Sequence, residues 1–141
     1  MFPTLFVLLY VAHLLSDYPF QPDRQASRKA GWTEGDKDPN PGRHHHGWGA
    51  NLAHAGTHVL VSAIALALGV LVLDLHLAIP AAAVALLWIG STHSAIDRRW
   101  MVLRWMERTG QPEFVEHGGA AHVDQTAHIT ALLIAALALA A

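Results

Sequence analysis

Two histidines stand four residues apart in His54-Ala-Gly-Thr-His58, heading a run that carries no charge from Val59 to Leu73. Residues at i and i+4 lie one above the other on a single helix face. Ionisable side chains inside an apolar segment are costly, so such a pair points to function by default. One pair alone is equally well read as two polar residues bonded to neighbouring helices. The spacing recurs, however, in His13/Asp17, His93/Asp97 and Asp124/His128, each near one end of another apolar run. Imidazoles and carboxylates on facing helices are how bundles build metal centres. The chain has no cysteine, so its ligands must be histidine and carboxylate, a donor set that suits zinc first, and also iron, manganese or nickel. The candidate ligands are His13, His54, His58, His93, His128, Asp17, Asp97 and Asp124. That set exceeds one tetrahedral ion. Either two ions bind, or one binds and the aspartates hold the second ring nitrogens of its histidines. A metal-free network of carboxylates and partly protonated histidines is the alternative.

The elements that carry these pairs follow from composition. The chain has 141 residues, 52% of them hydrophobic and only 14% charged, with a mean hydropathy of +0.28. One domain is expected, all-α, a polytopic membrane protein rather than a soluble globule. The net charge of −2 and the absence of any recognition motif leave no case for nucleic acid; the expected partner is the lipid bilayer. Apolar runs predict a four-helix transmembrane bundle with spans at about 2–20, 50–73, 77–97 and 121–141. The first lacks the basic start of a cleavable signal and stops at Pro19 and Pro22. The polar loop 21–49 is rich in glycine and proline, with a short helix allowed at Asp23–Ala30. Its His44–His46 run invites a metal reading, against the plainer one of solvated side chains. A tight turn around Asp74 joins spans two and three, and Pro80 falls in the first turn of the third, where it is tolerated. Within the loop 98–120, residues 99–108 form a short interfacial helix with Trp100 and Trp105 at headgroup depth. All nine basic residues lie in the two loops 21–49 and 98–120. The positive-inside rule then places both loops in the cytoplasm and both termini outside.

With that orientation, spans one and three place His13 and His93 deeper than Asp17 and Asp97. Span four runs the other way and reverses the order, with Asp124 shallow and His128 deep. His54 is shallow and His58 deep. All eight groups fall within roughly 12 Å of the cytoplasmic boundary at ~1.5 Å of rise per residue. A reversal of order with helix direction implies convergence on one site.

The motifs also resemble a known family, the bacterial and phage integral membrane proteins grouped as domain of unknown function 3307. The likeness rests on His13-Leu-Leu-Ser-Asp17-Tyr-Pro-Phe-Gln21, His54 with His58, His93-Ser-Ala-Ile-Asp97 and Asp124-Gln125-Thr-Ala-His128, and it covers nearly the whole chain. It implies a bacterial inner-membrane location and adds Gln21 and Gln125 to the candidate site as hydrogen-bonding partners. A weaker similarity to predicted inner-membrane metal-dependent hydrolases implies hydrolysis at the inner leaflet. In that chemistry a metal-bound water is activated and Asp17, Asp97 or Asp124 serves as general base. No His-Glu-x-x-His and no nucleophile elbow is present; Ser16 and Ser94 lie beside the site without a recognisable triad. A metal-ion or proton carrier is the second expectation. The outer half-spans offer it only Thr4, Tyr10, Ser62 and Thr130, so a through-path would need a homo-oligomer. A structural polar network is the third, although interhelical hydrogen bonds give only ~1 kcal/mol each.

Overall fold

A computed structural model describes all of residues 1–141. The chain is helical apart from two short strands. In order come α1 (Phe2–Asp17), α2 (Asp23–Ala26), β1 (Trp32–Thr33), β2 (His44–His45), α3 (Trp48–Leu73), α4 (Ile79–Ile96), α5 (Trp100–Arg108), α6 (Pro112–Glu116) and α7 (Gly119–Ala140). Three of them, α3, α4 and α7, are long and apolar enough to cross a membrane. They mark the chain as a membrane protein, and Leu71, Ile79 and Leu87 are among the large apolar side chains left on the outside. The remaining long helix, α1, has 16 residues. Its run was expected to reach residue 20. Instead it ends at Asp17, because Pro19 supplies no amide and Tyr18 before it is distorted to φ −109°, ψ −73°.

The four long helices form a square: α1 packs on α3 and α7, and α4 packs on the same two. At one end, which we call the turn end, α3 and α4 are joined directly. Asp74 adopts a left-handed conformation at φ 54°, and the Leu75 amide returns to the Gly69 carbonyl at 3.2 Å, which ends the helix. A Cβ at Gly69 would meet the Cδ1 atoms of Leu8 and Leu75 at 2.8 and 2.9 Å, so those side-chain ends pack directly on its backbone. The core of this end is aliphatic, built on Leu5, Leu9, Leu66, Ile89 and Leu132 with small alanines at 85, 135 and 136.

The opposite, loop end carries the two long connections. The first was expected to be irregular through its middle. It contains an antiparallel ladder pairing Trp32 with His45 and Thr33 with His44, too short to leave a trace in composition. Glu34 anchors it: its carboxylate meets His45 Nε2 at 2.7 Å and accepts from the Asn40 amide at 2.9 Å. In the second connection α5 turns Val102 and Met106 inward and leaves Trp100 and Trp105 exposed, the pattern of a helix lying at an apolar–polar boundary.

Candidate metal centre

The four spaced pairs come from the four corners of the square and meet at the loop end. Helix direction does the sorting: α1 and α4 arrive there by their last turns, α3 and α7 leave by their first. His13, His54, His58, His93, Asp97 and His128 are all at most 3% exposed, and the side chain of Asp17 is 6% exposed. Asp124 is the most open member at 23%.

Asp17 is the hub. Its Oδ1 lies 3.1 Å from both His54 Nε2 and His58 Nε2 and 3.9 Å from His93 Nε2. Its Oδ2 lies 3.1 Å from His13 Nε2 and accepts a hydrogen bond from Gln125 Nε2 at 3.0 Å. Gln125 also reaches His13 through Oε1 at 3.1 Å, and Gln21 Nε2 lies 2.7 Å from His54 Nε2. A second set adjoins the first. Asp97 Oδ2 is 3.2 Å from His93 Nε2, Asp97 Oδ1 is 3.7 Å from His128 Nε2, and Asp124 Oδ2 is 3.5 Å from His128 Nε2. The rings are crowded accordingly, with centroids 3.5 Å apart for His58/His93 and 4.1 Å for His93/His128.

Two groups here can hold a metal ion: Asp17, His54, His58 and His93, and His93, Asp97 and His128. Ligands at ~2.1 Å around a tetrahedral ion stand about 3.4 Å from one another. The separations of 3.1, 3.3 and 3.9 Å within the first group fall around that edge length. Buried atoms are also left without partners, among them His93 Nε2 and Asp97 Oδ2. Buried polar atoms are ordinarily hydrogen-bonded, and two unpaired ones facing each other are what an absent cation would leave. Charge points the same way. Asp17, Asp97 and Asp124 form contacts with one ammonium, that of Lys29, whose Nζ is 2.8 Å from Asp97 Oδ1. The shortfall of two positive charges equals one divalent ion or two imidazolium protons, and uncompensated burial of carboxylates is expensive.

These contacts bear on the two roles left open for the aspartates. Carboxylates that orient a ligating histidine bind its other ring nitrogen. Here every close histidine–aspartate contact uses Nε2, an arrangement that fits direct ligation by Asp17 and Asp97 better than an outer shell. His13 sits on the far oxygen of Asp17 and joins neither group, and Asp124 touches only His128 among the histidines. His44, His45 and His46 belong to the hairpin and its flank, away from the cluster.

Three participants carried no signal in spacing. Lys29 is one of five basic residues in its loop, and nothing local distinguishes it. Asn51 precedes His54 by one turn on the same face; it donates to the Ser94 carbonyl at 3.1 Å and accepts from the Ser94 hydroxyl, joining α3 to α4. Arg98 donates to the carbonyls of Lys29 and His46 at 3.0 and 2.6 Å.

No family model matches the chain, and no curated protein or solved structure matches it.

Proposed function

We propose that this chain is a four-span bacterial inner-membrane protein and a metal-dependent hydrolase acting at the inner leaflet, with zinc as its ion. The two basic connections lie at the loop end, which on the positive-inside rule is cytoplasmic, with both termini outside. α1 is short for a span, about 24 Å at 1.5 Å per residue, but it packs along both α3 and α7. The likeness of the His/Asp motifs to domain of unknown function 3307 belongs to this reading.

The observation that carries it is the unpaired His93 Nε2 and Asp97 Oδ2 at the junction of two ligand groups. Both groups claim His93, and one nitrogen lone pair serves one ion. Assigned to the first group, His93 completes a closed four-ligand set with Asp17, His54 and His58. Asp97 and His128 then remain as protein ligands for a second ion, with Asp124 Oδ2 3.5 Å from His128 and positions left open for water or substrate. An ion there supplies Lewis acidity and lowers the pKa of bound water. Gln125 holds Asp17 and His13 in register, and Asp124, the most open carboxylate, is placed to take a proton from water on the loop side. The sealed aliphatic core at the turn end favours this reading over a carrier, which would need polar groups past Leu5, Leu9 and Leu132.

Elemental analysis of protein purified in mild detergent, without affinity-tag metal, is the test. One or two zinc ions per chain are expected, falling by one in His93→Ala. A protein that holds no transition metal after reconstitution would sink the reading and leave the metal-free network.

A further inference from the structure

A cavity of about 450 Å³ opens on the loop side of the cluster. Asp97, Asp124 and Gln125 line it, so it reaches the second ligand group through Asp97. Its other walls have a different character, with Lys29, Arg99, Leu103 and the start of α7 at Gly118, Ala120 and Ala121.

These walls attract anions for three separate reasons. Lys29 is tied to Asp97 by one contact at 2.8 Å, and an ammonium has three donors. α7 begins with Gly118 at φ 83° and has no side-chain cap. Gly118, Ala120 and Ala121 line the cavity, so it borders the positive end of a 22-residue helix. Arg99 sits at φ 61°, ψ −31°, in a turn closed by the Trp100 amide on the Arg98 carbonyl at 2.7 Å. A non-glycine residue at positive φ in so tight a turn is strained. Arg99 is exposed, lines the cavity and has no carboxylate partner. The floor is the opposite in kind: Asp97 is 2% exposed, and its Oδ2 has no partner.

We propose that this cavity receives the phosphate of an ester substrate, with Lys29, Arg99 and the positive end of α7 around its oxygens. The inference rests on the metal reading, because a cation at the floor is what makes two carboxylates tolerable beside a phosphate. Tetrahedral oxyanions suit the arrangement, since donors converge from three elements and arginine and lysine differ in how they grip phosphate. The volume lies in the range of small-molecule sites. Leu103 comes from α5, the helix with Trp100 and Trp105 on its outer face, so a phospholipid headgroup lying at the boundary would enter with its chains alongside.

Calorimetric titration of the metal-loaded protein in detergent tests this. The probes are inorganic phosphate, glycerol 3-phosphate, dihexanoyl phosphatidic acid below its micelle concentration, and dihexanoyl glycerol as the uncharged control. Saturable binding of dihexanoyl phosphatidic acid is expected, weakened about tenfold in Arg99→Gln, with metal content unchanged in that exposed-residue variant. Equal binding of inorganic phosphate or glycerol 3-phosphate keeps the phosphate site and assigns it to a soluble ester. Metal-loaded protein that binds none of the three phosphates, or binds them equally well in Arg99→Gln, overturns the inference and leaves the metal centre standing. Phosphate binding that persists, Arg99-dependent, in a protein holding no metal keeps the pocket and removes the metal reading.

Discussion

The same four helices meet twice, and the two meetings differ in almost everything. At the turn end, Leu5, Leu9, Leu66 and Ile89 interlock beside alanines 85, 135 and 136, with no ionisable group among them. At the loop end the helices touch through imidazoles and carboxylates. Lipid tails are as apolar as leucine, so burial alone does not drive the first kind of contact in a bilayer; close packing of small and aliphatic residues does. The second kind depends on charge balance, and three carboxylates against one ammonium do not balance. The turn end therefore holds by shape whatever is bound. On the proposed metal reading an ion supplies the missing positive charge at the loop end, so binding there would couple to folding.

Removing the hub should separate the two ends most clearly. In Asp17→Ala, His54, His58 and His13 lose their shared acceptor, and removing one partner of a buried ionic contact costs about 3–5 kcal/mol. Thermal unfolding in detergent should show a large drop in Tm, and elemental analysis should show loss of the ion held by the first group. An unchanged Tm would mean that packing alone holds both ends.

The complementary change is Leu9→Ala at the turn end, where the side chain is fully buried. A cavity of this kind costs about 2–5 kcal/mol, and metal content should stay at the wild-type value. Loss of metal in this variant would show that the two ends are one cooperative unit.

The smallest effect lies outside both ends, in the hairpin. The hydrogen bond from His45 and that from the Asn40 amide hold the Glu34 carboxyl below its usual range. A depressed folded value means that the contribution is full above the ordinary glutamate pKa. It is lost as pH falls through the lowered folded value. Protection factors against amide exchange at Glu34 and Gly42, whose N–H groups close the hairpin on the Arg43 and Glu34 carbonyls, should fall on acidification once the intrinsic rate is divided out. Glu34→Gln should remove that pH dependence. An equal fall in both proteins would place its origin elsewhere.

Much of this arrangement is legible from spacing. A four-residue interval puts His54 and His58 on one face, and the reversed order of Asp124 and His128 follows from α7 running opposite to α4. Proline and glycine mark the helix ends within a few residues, although the reach of Pro19 over Tyr18 shortens α1. Which nitrogen meets a carboxylate is set by side-chain rotamers, so no spacing distinguishes Asp17 the co-ligand from Asp17 the orienter. Lys29 reaches Asp97 across 68 residues of chain through a loop whose fold depends on Glu34. A two-residue ladder has no periodicity to detect.

Arg98 ties the two long connections together. Its guanidinium lies over the Trp48 ring at 4.3 Å and bonds the carbonyls of Lys29 and His46, while its backbone adjoins Asp97. It acts as a strut braced at both ends of the hairpin segment, fixing the place where Lys29 reaches the cluster. Loss of the Arg98 side chain would therefore release both connections at once, and with them the seat of Lys29 beside Asp97.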